Sequence, residues 1–200
     1  MKSNIIIVVI DDLIDERSPL VVKLNQEYEQ VSIFNNSVEG LKFIKDNLDS
    51  KTIVILDLTL SGDDDNGHIV LEKIRANSFL IPVLIWTASD EKQEPFADFI
   101  NNRAFAFIKQ SRPVKDILKI VNEAAISLET DVASSLEDWL MAQPQTKDKP
   151  YMVAINGKSF TVEEMLNEIR MQSLIGKEFS YKLNKLTIDL LTRNKEKLDD

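Results

Sequence analysis

The chain has 200 residues and no cysteine, which excludes disulfide bonds, thiolate catalysis and cysteine-ligated zinc. Its single histidine, His68, cannot form a histidine-rich metal cluster, so any bound metal ion would need oxygen ligands. The formal net charge of −9 combines −10 in residues 1–142, where 24 Asp and Glu outnumber 14 Lys and Arg, with +1 in residues 143–200. Nonspecific nucleic-acid binding needs a basic surface, which residues 1–142 lack.

The first 128 residues alternate apolar runs with amphipathic stretches, which is the pattern of parallel strands joined by crossover helices. The expected strands are Asn4–Ile10, Gln30–Asn35, Thr52–Asp57, Ile81–Thr87 and Ala104–Lys109. The expected helices are Pro19–Tyr28, Val38–Leu48, His68–Asn77, Glu91–Asn101 and Pro113–Leu128. The sequence therefore predicts an α/β fold with a five-stranded, doubly wound parallel sheet.

The first apolar run carries no membrane signal. It ends at Ile10, which makes it far too short to span a bilayer, and Asp11 and Asp12 follow at once. We interpret it as a buried strand of a cytoplasmic protein.

The chain after residue 128 predicts a helix followed by a linker. The helical pattern continues over Asp131–Ala142, which either extends the preceding helix or docks on the sheet domain. Gln143–Pro150 contains two prolines and is the expected linker. The expected division is a sheet domain of residues 1–128, a helical extension and linker of residues 129–150, and a small α+β appendage of residues 151–200.

Within the appendage, Asn156-Gly157 favours a two-residue hairpin turn. Thr161, with Glu164 three residues later, predicts a capping box at the start of a helix, and we expect Gly176 to end that helix. A last helix should cover roughly residues 181–197. The core stripe of the appendage should comprise Met165, Leu166, Ile169 and Leu174, with a docking surface as the alternative role of these side chains.

Polar residues end the predicted strands, where ligand sites form in open parallel sheets. Asp11 and Asp12 follow the first strand, Asp57 the third, Thr87 the fourth and Lys109 the fifth. Three carboxylates meeting in a half-buried cleft repel one another unless a cation lies among them, and oxygen ligands suit Mg²⁺. A carboxylate can also attack phosphorus, with a lysine and a hydroxyl placed to bind the phosphoryl oxygens.

The segments VVIDDLIDER, VILDLTLSG, LIWTAS and FIKQS resemble the signature segments of response-regulator receiver domains, which have a flavodoxin-like fold. The resemblance covers roughly residues 3–128. It implies that Asp11 and Asp12, with Asp57, bind Mg²⁺, that Asp57 is phosphorylated, that Thr87 is the switch hydroxyl and that Lys109 binds the phosphoryl group. It further implies a sensor histidine kinase or phosphotransfer protein as partner.

Four positions depart from the family pattern. Ser61 replaces a proline, and the glycine expected eight residues after the acceptor stands ten residues after it, at Gly67, so the loop is longer and carries the acidic run 63–65. Ala106 occupies the position of the switch aromatic, between Phe105 and Phe107, so neither can be assigned that role; Phe107 fits core packing better. Gln110 replaces the proline after the lysine, which disfavours a cis peptide there.

The favoured function is a two-component response regulator that switches protein–protein interactions and has no separate substrate. Residues 151–200 would bind a downstream protein partner, since their basic side chains are mixed with acids and no clear helix–turn–helix is present; a DNA-binding transcriptional regulator is the alternative. A haloacid dehalogenase-type phosphatase is disfavoured because Thr59 stands where that family needs an acid. A phosphorylation-independent interaction module is disfavoured because the full set of acceptor-site residues is present, and a homodimer stays as an alternative.

Overall fold

The computed structural model describes residues 2–60, 66–88, 102–142, 152–153 and 157–193. The chain divides into two compact units, Met1–Glu129 and Thr130–Asp200. Three features expected from the sequence, the acidic run 63–65, the helix 91–101 and the linker 143–150, lie outside the described residues. None of the helices in the described ranges is long and apolar enough to cross a membrane.

A five-stranded parallel sheet forms the centre of the first unit, in the order β2-β1-β3-β4-β5. This confirms the predicted α/β class and parallel sheet. The strands are β1 Ser3–Ile10, β2 Tyr28–Phe34, β3 Thr52–Leu56, β4 Val83–Thr87 and β5 Ala106–Lys109. The helices described in this unit are α1 Pro19–Glu27, α2 Ser37–Asp46, α3 Gly67–Arg75 and α4 Val114–Thr130.

Both faces of the sheet are covered, which explains the unbroken apolar run of β1. Ile5, Ile7 and Val9 belong to a core cluster with α1 and α4. Ile6 and Val8 belong to a second cluster with α2 and α3. Successive side chains of a strand point to opposite faces, so a strand buried on both sides must be apolar throughout.

The second unit contains a hairpin and three helices in its described residues. They are β6 Met152–Val153, β7 Ser159–Phe160, α5 Val132–Met141, α6 Val162–Arg170 and α7 Leu174–Arg193. Asp131 caps α5 by accepting a hydrogen bond from the Ser134 N–H at 3.0 Å, so α5 starts anew after α4. It contacts α6 and α7, and Arg170 of α6 pairs with Glu137 of α5. By these contacts α5 belongs to the second unit.

The capping box forms as predicted, and a hairpin forms in the expected place but with a different register. A two-residue turn at residues 156–157 would place Val153 opposite Phe160, whereas Val153 lies opposite Ser159. Strands β6 and β7 pair antiparallel, and Gly157 has a φ of 80°. The Thr161 hydroxyl accepts from the Glu164 N–H at 3.2 Å, while the Glu164 carboxylate accepts from the Thr161 N–H at 2.8 Å. The two bonds satisfy donors that the first helical turn leaves unpaired.

The prediction that Gly176 ends α6 is wrong. Helix α6 ends at Arg170, followed by Gln172 in the left-handed conformation with a φ of 51°. Gly176 lies in the first turn of α7, where a Cβ would come within 2.2 Å of the Glu168 carbonyl oxygen. The glycine therefore permits close approach of two helices. Leu174 is also not core, since it is 87% exposed, whereas Met165, Leu166 and Ile169 are buried.

Candidate functional site

The register of the two central strands brings the predicted acidic residues together. Strands β1 and β3 pair in parallel with Ile10 opposite Leu56, so Asp11 and Asp57 leave the same edge of the sheet side by side. The Asp57 N–H donates to the Ile10 carbonyl at 2.9 Å, which extends the ladder by one bond. One ligand oxygen from each of Asp11, Asp12 and Asp57 lies within 4.8 Å of the others.

Burial makes this carboxylate cluster unfavourable when it is fully ionised. Asp11 is 1% exposed and Asp57 is 4% exposed. Burial, more than the charges of Asp11 and Asp12, raises the pKa of Asp57 to about 6, although the N–H groups of Thr59 and Leu58 oppose the shift. Burial likewise raises the pKa of Asp11. Loss of hydration disfavours the charged form of an acid, and a neighbouring negative charge does the same.

The backbone holds the cluster in place. The Asp11 carboxylate accepts hydrogen bonds from the N–H groups of Leu13 at 2.8 Å and Ile14 at 3.1 Å. The Oδ1 atom of Asp12 is shielded from solvent. Oxygen-only donors and several negative charges fit a small hard cation such as Mg²⁺. The three aspartates could therefore hold a metal ion.

The other two predicted site residues end neighbouring strands. Thr87 is the last residue of β4 and is opposite Lys109, the last residue of β5. Thr87 is fully buried and Lys109 is half-buried. Since β4 also pairs with β3, all five predicted residues leave the same edge of one sheet, as the strand-end argument requires.

Two further residues shape this edge. Gly67 donates its N–H to the Leu58 carbonyl at 3.0 Å, and a Cβ at Gly67 would come within 2.6 Å of the Asp57 carbonyl oxygen. The two-residue offset of this glycine in the sequence indicates the longer loop, whereas the sequence gives no sign of its contact with the Asp57 backbone. Gln110 donates its N–H to the Thr87 carbonyl at 3.0 Å, a bond that the family's proline cannot make.

The remaining candidates do not belong to the carboxylate cluster. Phe107 packs against the core cluster that includes α2 and α3, as expected, while Phe105 is 39% exposed. His68 is half-buried in the first turn of α3. Thr59 is exposed, and its N–H donates to the Asp57 carboxylate at 3.3 Å.

Comparison with known proteins identifies the fold. No protein-family model and no curated protein matches the sequence. Among solved structures, a CheY-like receiver domain protein from Methanospirillum hungatei has 22% identity and a TM-score of 0.56, over 64% of this chain and 98% of that one. The NtrX receiver domain from Brucella abortus has 23% identity and a TM-score of 0.52, over 62% of this chain and 99% of that one. This is the receiver fold.

A receiver domain protein from Clostridium thermocellum adds a match of 22% identity and TM-score 0.53, over 64% of this chain and 98% of that one. Each receiver domain is covered almost completely, but only about two thirds of this chain is. We call Met1–Glu129 the receiver unit. At these identities the likeness establishes its fold, and its chemistry rests on the residues at the strand ends.

Proposed function

We propose that the receiver unit is the phospho-acceptor of a two-component response regulator and that Asp57 is the residue phosphorylated. The observation that carries this proposal is the gathering of Asp11, Asp12 and Asp57 at the carboxyl edge of a receiver-type sheet, with ligand oxygens within 4.8 Å. The phosphoryl donor would be a histidine residue of a sensor kinase or phosphotransfer protein.

The residues at the edge divide the chemistry among them. A carboxylate oxygen of Asp57 attacks phosphorus, and an O–P bond forms as the P–N bond of the donor phosphohistidine breaks, with its electron pair kept by the imidazole nitrogen. Mg²⁺ held by the three aspartates would neutralise charge on the phosphoryl oxygens. The Lys109 ammonium pairs with one of these oxygens, and the Thr87 hydroxyl donates a hydrogen bond to another.

The output is proposed to be a change in protein–protein contacts through residues 151–200, with no separate substrate. In the described part of α7, Lys182 pairs with Glu178 at 2.6 Å, which gives a mixed-charge face. Such a face lacks the concentrated positive charge that phosphate contacts need, so DNA binding is the less favoured output. Hydrolysis of the haloacid dehalogenase type is also less favoured, because Thr59 cannot act as its general acid.

The test is labelling of the intact chain with acetyl phosphate and Mg²⁺, followed by mass spectrometry. We expect the mass to rise by one phosphoryl group, located on Asp57, and the label to be lost when Mg²⁺ is chelated beforehand. Asp46→Asn, at an exposed position of α2, is the matched control and should label as the wild type does. Full labelling of Asp57→Asn would show that the acceptor lies elsewhere.

A further inference from the structure

A buried arginine lies at the opposite edge of the same sheet. Arg75, the last residue of α3, is 4% exposed. Its guanidinium donates hydrogen bonds to four backbone carbonyls: Ser78 at 3.1 Å, Ile81 at 2.8 Å, Asn102 at 2.7 Å and Arg103 at 2.9 Å. Burial, with the nearby charge of Arg103, lowers the pKa of Arg75 to about 10, so the side chain stays charged at neutral pH.

These hydrogen bonds join three segments of the receiver unit. Ser78 and Ile81 lie between α3 and β4, while Asn102 and Arg103 lie three to four residues before β5. Arg103 has a left-handed φ of 48°, and its guanidinium lies 5.1 Å from the centre of the Phe79 ring. A non-glycine residue keeps this conformation only where its surroundings fix it. The chain entering β5 is therefore anchored to the start of β4.

Strand β5 needs such an anchor because its pairing is limited. It has four residues, ends the strand order and pairs with β4. A slip of one residue would send every side chain of a strand to the other face of the sheet. Lys109 would then no longer lie opposite Thr87, and the hydrogen bond from Gln110 to Thr87 would be lost.

We propose that Arg75 is a positioning residue that acts through Lys109: by holding the backbone at residues 102–103, it fixes the register of β5 and keeps the lysine at the phospho-acceptor site. This inference rests on the proposed function of that site. An apolar side chain could fill the same space without burying a charge. An apolar side chain could not donate four hydrogen bonds to carbonyls in the two segments that lead into β4 and β5.

The test compares two ligands of the intact chain, because only one of them depends on β5. Mg²⁺ alone reports the aspartates at the ends of β1 and β3, whereas beryllofluoride with Mg²⁺ also needs Lys109. We expect Arg75→Met to lower beryllofluoride affinity about tenfold, which corresponds to about 1.4 kcal/mol, and to leave Mg²⁺ affinity within about twofold. Arg75→Lys keeps the positive charge but lacks the planar guanidinium group, so it should cause an intermediate loss of beryllofluoride affinity. If Arg75→Met does not fold, Arg75→Lys is the variant that tests the inference.

A double-mutant cycle separates positioning from general destabilisation. Lys109→Met should itself weaken beryllofluoride binding, and adding Arg75→Met to it should cause little further loss, because the lysine to be positioned is gone. Ile44→Ala, which removes a buried side chain of α2, is the control that lowers stability away from β5. In Arg75→Met, but not in Ile44→Ala, the Gln110 amide should exchange faster with solvent.

Two results would count against the inference, and a third would count against the proposed function on which it rests. If Arg75→Met weakened Mg²⁺ and beryllofluoride binding equally, as a general loss of stability in Ile44→Ala would, then Arg75 would stabilise the fold without positioning Lys109. Wild-type beryllofluoride binding in folded Arg75→Met or Arg75→Lys would overturn the inference and leave the proposed function intact. If the wild type itself took no phosphoryl label and bound no beryllofluoride, the proposed function would fail first.

Discussion

At the scale of single residues, Asp57, the proposed acceptor, is held in an environment that opposes its own charge. Asp57 is almost fully buried beside Asp11 and Asp12, and its pKa is raised to about 6. At neutral pH the cluster is therefore strained when metal-free, and that strain favours binding of a cation. The burial that favours metal binding at this site therefore also lowers the stability of the metal-free fold.

Asp57→Asn should stabilise the metal-free protein at pH 8 by about 1–3 kcal/mol, since a pKa raised by one unit costs the ionised form about 1.4 kcal/mol. The folded-state pKa of about 6 lies above the ordinary aspartate pKa of 3.8, so the penalty is complete well above pH 6. It declines as the carboxyl group protonates at lower pH. Urea unfolding with a chelator should show a gain that shrinks from pH 8 to pH 5. Destabilisation at pH 8 would refute the assigned environment.

The sequence predicted five residues at this edge because strand ends are visible as the limits of apolar runs. Asp11, Asp57 and Thr87 each follow or close such a run, and the parallel arrangement then brings them together. The role of Arg75 was not predictable in this way. A basic residue in the last turn of a helix is a common surface feature. Only the folded structure shows that Arg75 is buried and donates hydrogen bonds to the carbonyls of residues 102 and 103.

At the scale of elements, two glycines stand where backbones approach each other closely. A Cβ at Gly67 would come within 2.6 Å of the Asp57 carbonyl oxygen, and one at Gly176 within 2.2 Å of the Glu168 carbonyl oxygen. Neither neighbour is the flexible end of a side chain, so the backbone itself would have to move. The first contact joins α3 to the residue that follows β3, and the second joins α7 to α6.

Gly67→Ala and Gly176→Ala should each destabilise by about 1–3 kcal/mol, as overpacked positions do, although alanine is the better helix former. Only Gly67→Ala should weaken Mg²⁺ binding, because its displaced neighbour is the backbone of a proposed ligand. Urea unfolding and Mg²⁺ titration of both variants provide the comparison, and each serves as the control for the other. Loss of Mg²⁺ affinity in Gly176→Ala would show that the second unit affects the site.

Most elements could be placed from periodicity to within a few residues, whereas the role of Gly176 could not be predicted. The capping box of Thr161 with Glu164 depends on local hydrogen bonds, which a sequence specifies directly. Gly176 could mean either a helix end or a close helix contact. The structure shows the close helix contact, because α6 ends earlier, at Arg170, and is followed by Gln172 in a left-handed conformation.

At the scale of the whole molecule, the chain combines an acidic receiver unit with a second unit that begins near Thr130. The sequence favoured a division after residue 128 with an intervening helix and linker. In the structure α5 contacts α6 and α7, and its Leu136 and Leu140 are buried. Since the receiver unit has a two-sided core around its own sheet, we expect it to fold without the second unit.

The fragment of residues 1–130 should unfold cooperatively and accept the phosphoryl label on Asp57. The fragment of residues 1–142 should keep that chemistry but behave worse in solution, because it retains α5 without α6 and α7, which leaves apolar side chains such as Leu140 uncovered. Light scattering during gel filtration should detect its association, and a hydrophobic dye should bind it more strongly. If residues 1–142 are monomeric and dye-free while residues 1–130 fail to fold, α5 completes the receiver core and the boundary lies after it.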